Sequence, residues 1–116
     1  MRLLVGIVFL MTLAVAPASA DARSDARQQV EFGIAVAQRG LWREAIYRWE
    51  RAAQIDPTYA AAHNNLAIAY EHEGDLEKAR IAYEKALSLD PNNTYIRQNF
   101  ELFKEINDRT TRQDNQ

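Results

Sequence analysis

The chain contains no cysteine, which excludes disulfides, thiolate catalysis and cysteine-ligated zinc or iron–sulfur centres, and leaves it compatible with either a reducing or an oxidising compartment. Histidine is scarce as well. His63 and His72 are the only two, and nine residues on one expected helix put them on roughly opposite sides, so they cannot ligate one metal from a shared face. No basic run is present: 14 Lys and Arg against 16 Asp and Glu give a formal charge of -2, a poor match to a phosphate backbone, and nucleic acid is not an expected partner. With four glycines, none grouped as a phosphate cradle or dinucleotide signature, nucleotide chemistry has no support. The length of 116 residues suits one domain. Such a domain buries a single small core and leaves little room for a deep catalytic cleft between domains.

The first twenty residues, MRLLVGIVFLMTLAVAPASA, have a positive start at Arg2, an apolar stretch from Leu3 to Ala16, and small residues at Ala18 and Ala20 before Asp21. That is the pattern of a secretory signal cleaved between Ala20 and Asp21. A retained anchor and a buried core helix are the alternatives, but an anchor prefers nearer twenty apolar residues and this stretch is broken by Pro17. No cysteine follows to accept lipid, so a lipoprotein is excluded. The expectation is a periplasmic or secreted protein with no stable membrane insertion after cleavage.

The remainder repeats itself. A shift of 34 residues places Phe32 on Leu66, Gly40 on Gly74, Trp42 on Leu76, Ala45 on Ala79 and Trp49 on Tyr83. It also places Ala52 on Ala86, Ile55 on Leu89, Asp56 on Asp90 and Pro57 on Pro91. Nine coincidences at one offset mark an internal repeat. The clearest unit, AAAHNNLAIAYEHEGDLEKARIAYEKALSLDPNN at residues 60–93, resembles the tetratricopeptide repeat (TPR) family, and residues 26–59 form a second unit in which Val36 and Gln29 depart from the family pattern. A third unit begins at Thr94 but stops after one helix. The expected organisation is therefore a signal at 1–20, two units at 26–59 and 60–93, a closing helix at 94–109 and a disordered tail at 110–116.

Helical spacing of Leu66, Ala67 and Tyr70, and of Leu76, Ala79, Tyr83 and Ala86, gives two amphipathic helices per unit. Gly74 takes the left-handed turn between them and Asp75 caps the second, with Gly40 at the earlier turn. Asp56-Pro57 and Asp90-Pro91 read as an N-cap followed by proline at the first helical position. Helices are predicted over 24–38, 42–54, 58–72, 76–88 and 92–108. The fold class is all-α, and the resemblance implies a short right-handed superhelical stack of two hairpins with a closing helix. Phe100 and Phe103 should cover the apolar surface around Ala79 and Tyr83. Exposed pairs are expected at Glu44–Arg48, Arg97–Glu101 and Glu105–Arg109.

Nothing resembles a catalytic constellation, a cofactor site or a metal cluster, and the chain is not expected to be an enzyme. His63 takes a packing role, and His72 beside Glu71 takes a protein-binding or solvent-facing one. The acidic run Glu71, Glu73, Asp75 and Glu77 lacks the ligand order of a calcium loop. The resemblance implies that a protein or peptide binds in a concave groove made by the first helix of each unit. Carried onto this sequence, the groove consists of Val30, Ile34 and Gln38, then Asn64, Ile68, Glu71 and His72, then Tyr95, Gln98 and Leu102, with Arg27, Ala37, Ala61, Glu105 and Ile106 alongside. A carboxylate clamp is not expected, because only Asn65 of its residues is present. The leading reading is a non-catalytic binding module or adaptor of the bacterial envelope. A self-associating scaffold, possible as a homo-oligomer, is the alternative, and a small hydrolase or metal-binding protein is a remote one.

Overall fold

A computed structural model describes residues 19–116; of the segment 1–20 expected to be a signal, residues 1–18 lie outside the described residues. The described residues form five helices and no strand: α1 (Ala20–Gln38), α2 (Trp42–Ile55), α3 (Ala60–His72), α4 (Leu76–Leu89) and α5 (Thr94–Asp114). The helices pack as neighbours: α1 against α2, α3 against α4, α2 against α3 and α4 against α5, with α1 also touching α3. This is the all-α stack of helical hairpins that the sequence implies.

The tight turns have the expected cause. Gly40 and Gly74 sit at φ 77° and 79°, in the left-handed region that a side chain makes costly, and nothing crowds either position. The Asp75 side chain accepts from the Lys78 amide at 3.3 Å, capping α4 as anticipated.

Alanine and glycine set how closely each hairpin closes. Ala45, Ala52, Ala79 and Ala86 are fully buried, so facing backbones approach with rings filling the space between them. In the first hairpin Trp49 is 3% exposed and its indole N–H donates to the Val30 carbonyl at 3.0 Å. Gly33 is the notch that admits this ring: a Cβ there would stand 2.7 Å from Trp49 Cδ1 and 2.8 Å from Cε2. In the second hairpin the same repeat positions hold Ala67 and Tyr83, both buried, and the smaller ring is matched by a larger neighbour. Tyr83 donates to Glu71 at 3.0 Å. Burial and that carboxylate hold its phenol well above the ordinary tyrosine range.

α5 closes the open side of the second hairpin. Ile96, Phe100 and Phe103 are its buried residues, and the rings of Phe100 and Phe103 lie 5.4 and 5.3 Å from that of Tyr83, which is the coverage predicted for the closing helix. Its Asn93 cap accepts from the Ile96 amide at 3.1 Å.

Several local expectations are corrected. Asp56 and Asp90 are the C-caps of α2 and α4, so Pro57 and Pro91 occupy the turns beyond them. α3 starts at Ala60 and α5 at Thr94. α1 begins earlier than expected, at Ala20, with the Ser19 hydroxyl accepting from the Ala22 amide at 3.1 Å. α5 continues through the residues expected to be a disordered tail, as far as Asp114, with every residue from Asp108 exposed. The Glu44–Arg48 pair forms at 3.0 Å and Glu105–Arg109 also forms. Arg97 instead donates to the Pro91 carbonyl at 2.6 Å, and Glu101 pairs with Lys104 at 3.2 Å.

The corrected role of Asp56 is the more consequential. Its carboxylate is fully buried. It accepts from the Thr58 amide at 3.0 Å and the Thr58 hydroxyl at 2.7 Å, and pairs with Arg23 of α1. The Arg23 guanidinium also lies 4.8 Å from the Tyr59 ring centroid, within cation–π range. One clasp thereby ties the start of α1 to the turn leading into the second hairpin. Burial raises the Asp56 pKa, but the hydrogen bonds from Arg23 and Thr58 and the Arg23 charge more than offset it, and the carboxyl ends below its usual value.

Two outcomes follow from these contacts. Gly33→Ala should destabilise the fold by roughly 2 kcal/mol through overpacking, more than the roughly 1 kcal/mol expected for Gly74→Ala. Adding Trp49→Tyr should recover part of the Gly33→Ala loss; urea melts would measure both, and additive losses would contradict the notch. For the clasp, the lowered Asp56 pKa means its stabilisation is present above the unfolded carboxylate value of about 4 and is lost as pH falls through the folded value. Arg23→Ala leaves that carboxylate buried without its cation, so the variant should unfold at a higher pH than wild type in acid titrations followed by circular dichroism.

Candidate functional site

Three helices, α1, α3 and α5, present the residues that the sequence assigns to a groove. Two adjoining clefts lie along them, of about 590 and 400 Å³. Ile34, Asn65 and Tyr95 line both, so the two are compartments of one surface. The larger is mixed: Arg27, Glu31, Asn64, Asn93 and Asp90 line it together with Val30, Leu89 and Ile96. The smaller is walled by Ile34, Ala37, Trp42, Trp49 and Ile68, with Gln38 and Asn65 as its polar members. A mixed compartment beside an apolar one suits a ligand that buries an apolar group and is oriented by polar contacts.

The structure brings six of the ten predicted groove residues to these clefts. Val30 and Asn64 are buried at 4% and 3% exposure, so they line the larger cleft from within the packed structure. Asn64 is fixed by an amide hydrogen bond from Asn99 of α5 at 3.3 Å. Ile34 and Tyr95 are exposed and shared, and Gln38 and Ile68 belong to the apolar cleft. The other four lie outside both. Glu71 is half-buried and engaged by Tyr83. His72 is exposed and stacks on Trp42 with ring centroids 4.1 Å apart, while Gln98 and Leu102 are exposed on α5.

Sequence reasoning missed Arg23, Thr58 and Tyr59, which line the larger cleft. Arg23 lies before the first repeat unit, and Thr58 and Tyr59 belong to the inter-unit turn, so the repeat register carries no signal for them. Trp42 and Trp49, which the 34-residue offset places on Leu76 and Tyr83, also line the apolar cleft.

His63 Nε2 lies 3.0 Å from the Pro57 carbonyl, and burial holds its pKa below the usual histidine value despite that contact; His72 faces Trp42 instead, so the two imidazoles serve different neighbours. Among the described residues no group of three His, Asp or Glu side chains is placed to hold a metal ion. Among those same residues, no helix is long and apolar enough to cross a membrane.

Comparison with known proteins agrees with the helical geometry. The chain is 33% identical over 79 residues to the type IV pilus assembly protein PilF of Pseudomonas aeruginosa, covering 67% of this chain and 31% of that protein. It is 32% identical over 74 residues to the chloroplastic tetratricopeptide repeat domain-containing protein PYG7 of Arabidopsis thaliana, covering 64% and 25%. Over 45 residues it is 51% identical to the uncharacterized protein ycf37 of Pyropia yezoensis, covering 39% and 25%. The chain thus spans a quarter to a third of the length of these relatives. The tetratricopeptide repeat profile matches residues 60–93, and a second TPR repeat profile matches residues 33–73. With its helical hairpins and the 34-residue offset, the chain carries tetratricopeptide repeats across residues 33–93.

Proposed function

We propose that the protein is a non-catalytic binding module that receives a protein or peptide partner on the concave surface of α1, α3 and α5, and that it acts in the bacterial envelope after export. The observation that carries the binding reading is the pair of joined clefts. Ile34, Ile68 and Leu102 repeat at the 34-residue offset, and the first two wall the apolar compartment. A partner side chain buried there would gain from desolvation, with Arg27, Asn65 and Asn93 available to orient polar groups. The export reading is supported by the composition of residues 1–20. Similarity to a protein named for pilus assembly is compatible with an adaptor of an envelope assembly.

Self-association is favoured by a separate feature. Phe32 and Tyr47 of the first hairpin are 48% and 57% exposed, with the Arg48 guanidinium 4.2 and 5.5 Å from their rings. A second copy could cover them. Phe103 is 1% exposed and belongs to the core, so it offers no such surface.

Export predicts that material recovered outside the cytoplasm has an intact mass lacking residues 1–20, whereas the full chain in membranes would contradict cleavage. For binding, Ile68→Asp should weaken a partner recovered by envelope pull-down at least about tenfold in calorimetry, since it sets an unpaired charge in the apolar compartment. Glu84→Ala, on the exposed face of α4, should have little effect. If Ile68→Asp folds and binds normally while Tyr47→Asp abolishes assembly, the self-associating reading replaces the groove.

A further inference from the structure

α5 is longer than the surface it covers. Its buried residues end at Phe103, yet the helix continues about three more turns to Asp114, with every residue from Asp108 exposed. A helix end of that kind draws little support from tertiary packing, and helix without such support is marginal in water. At about 100° per residue, Leu102, Glu105 and Arg109 fall on the side of α5 opposite its buried residues Ile96, Phe100 and Phe103. Glu101 and Arg112 run along one edge of that outer face and Ile106 along the other. All six are exposed, Leu102 at 56% and Ile106 at 49%, and none lines either groove cleft.

The charges on this face are ordered: Glu101 and Glu105 come first, and Arg109 and Arg112 follow. Other charges of α5 belong to other sides. Arg97 donates to the Pro91 carbonyl, Lys104 lies 4.6 Å from the Phe100 ring centroid, Asp108 follows Lys104 by one turn, and Asp114 faces the start of α4. Within one chain the outer charges are met only by neighbours on the same helix, Glu101 by Lys104 and Glu105 by Arg109, and exposed pairs of this kind are weak. Arg112 forms no ion pair among the described residues.

A parallel copy of this helix would set like charges side by side. An antiparallel copy, related by a two-fold axis crossing near Asn107, sets Glu105 against the partner's Arg109 and Glu101 against the partner's Arg112, and the symmetry makes each contact twice. Ile106 then meets its counterpart beside the axis, and Leu102 lies under the aliphatic stems of the partner's two arginines.

We propose that a second copy of this chain docks on α5, giving an antiparallel two-fold pair of closing helices in which the acidic half of each outer face meets the basic half of the other around Leu102 and Ile106. The pair uses no residue of either cleft and none of the Phe32 and Tyr47 edge, so it does not rest on the groove reading. One helix pair is smaller than a standard interface. The dimer therefore forms as concentration rises and weakens as salt screens its charges.

Sedimentation equilibrium of the protein alone, from about 10 μM to 1 mM, tests this. The wild-type mass should rise from one chain toward two and fall back at high salt. Glu101→Arg with Glu105→Arg makes the face wholly basic, and Arg109→Glu with Arg112→Glu makes it wholly acidic. Each double variant should stay monomeric, and their equimolar mixture should dimerise at least as well as the wild type. Since the chain has no cysteine, introduced ones report orientation: Glu101→Cys mixed with Arg112→Cys should cross-link on oxidation, whereas Glu101→Cys alone should not. Circular dichroism would verify that each variant is folded. A wild type that is monomeric throughout, double variants that dimerise as it does, a mixture that stays monomeric, or efficient linkage of Glu101→Cys to itself would overturn the proposal. None of these results bears on whether Ile68→Asp impairs partner binding, so the dimer and the groove can fail separately.

Discussion

The closeness of each helical hairpin sets everything built upon it. A ring as large as that of Trp49 enters the first hairpin only because Gly33 presents no side chain to meet it, and the indole N–H is then satisfied by the Val30 carbonyl. A buried ring with an unpaired N–H would cost free energy comparable to a lost hydrogen bond. Volume and polarity are therefore solved at the same place. The second hairpin reaches the same end with Ala67, Tyr83 and Glu71. The two solutions differ in chemistry, and Ile34 and Ile68, on the first helix of each hairpin, line one cleft.

The seam between hairpins is held differently. Apolar packing of α2 on α3 is joined by the Arg23–Asp56 clasp at one edge and by the Trp42–His72 stack at another. The clasp contains a wholly buried carboxylate, and such a pair is expensive to desolvate and more expensive to break from one side. Since Arg23 and Thr58 also line the larger cleft, the same contact that ties α1 to the turn between hairpins shapes the candidate binding surface. Fold and site share these residues.

Much of this was legible because a repeat offers each position twice. Gly40 with Gly74, Ala45 with Ala79 and Trp49 with Tyr83 establish the helices, their turns and their buried faces, and Phe100 with Phe103 identifies the closing helix. What depended on contacts outside the repeat register was not legible. Asp56 followed by proline suits a helix start by local rules, but Arg23, 33 residues away, makes it the anchor of a turn. Arg97 and Glu101 have the spacing of an ion pair, yet the Pro91 carbonyl and Lys104 are their partners. The residues lining the clefts are legible where the first helices repeat, at Ile34, Ile68 and Tyr95, and not where the turns contribute, at Thr58 and Tyr59.

The central claim is that the concave surface of α1, α3 and α5 is where a partner sits. Amide hydrogen exchange of the protein, compared free and in complex with a partner recovered from the envelope, tests this most directly. The account predicts added protection in α1 and α3 around Ile34 and Ile68 and at the start of α5 around Tyr95, with α2 and α4 little changed. Protection centred on the Phe32 and Tyr47 edge, with the groove helices exchanging as in the free protein, would contradict it.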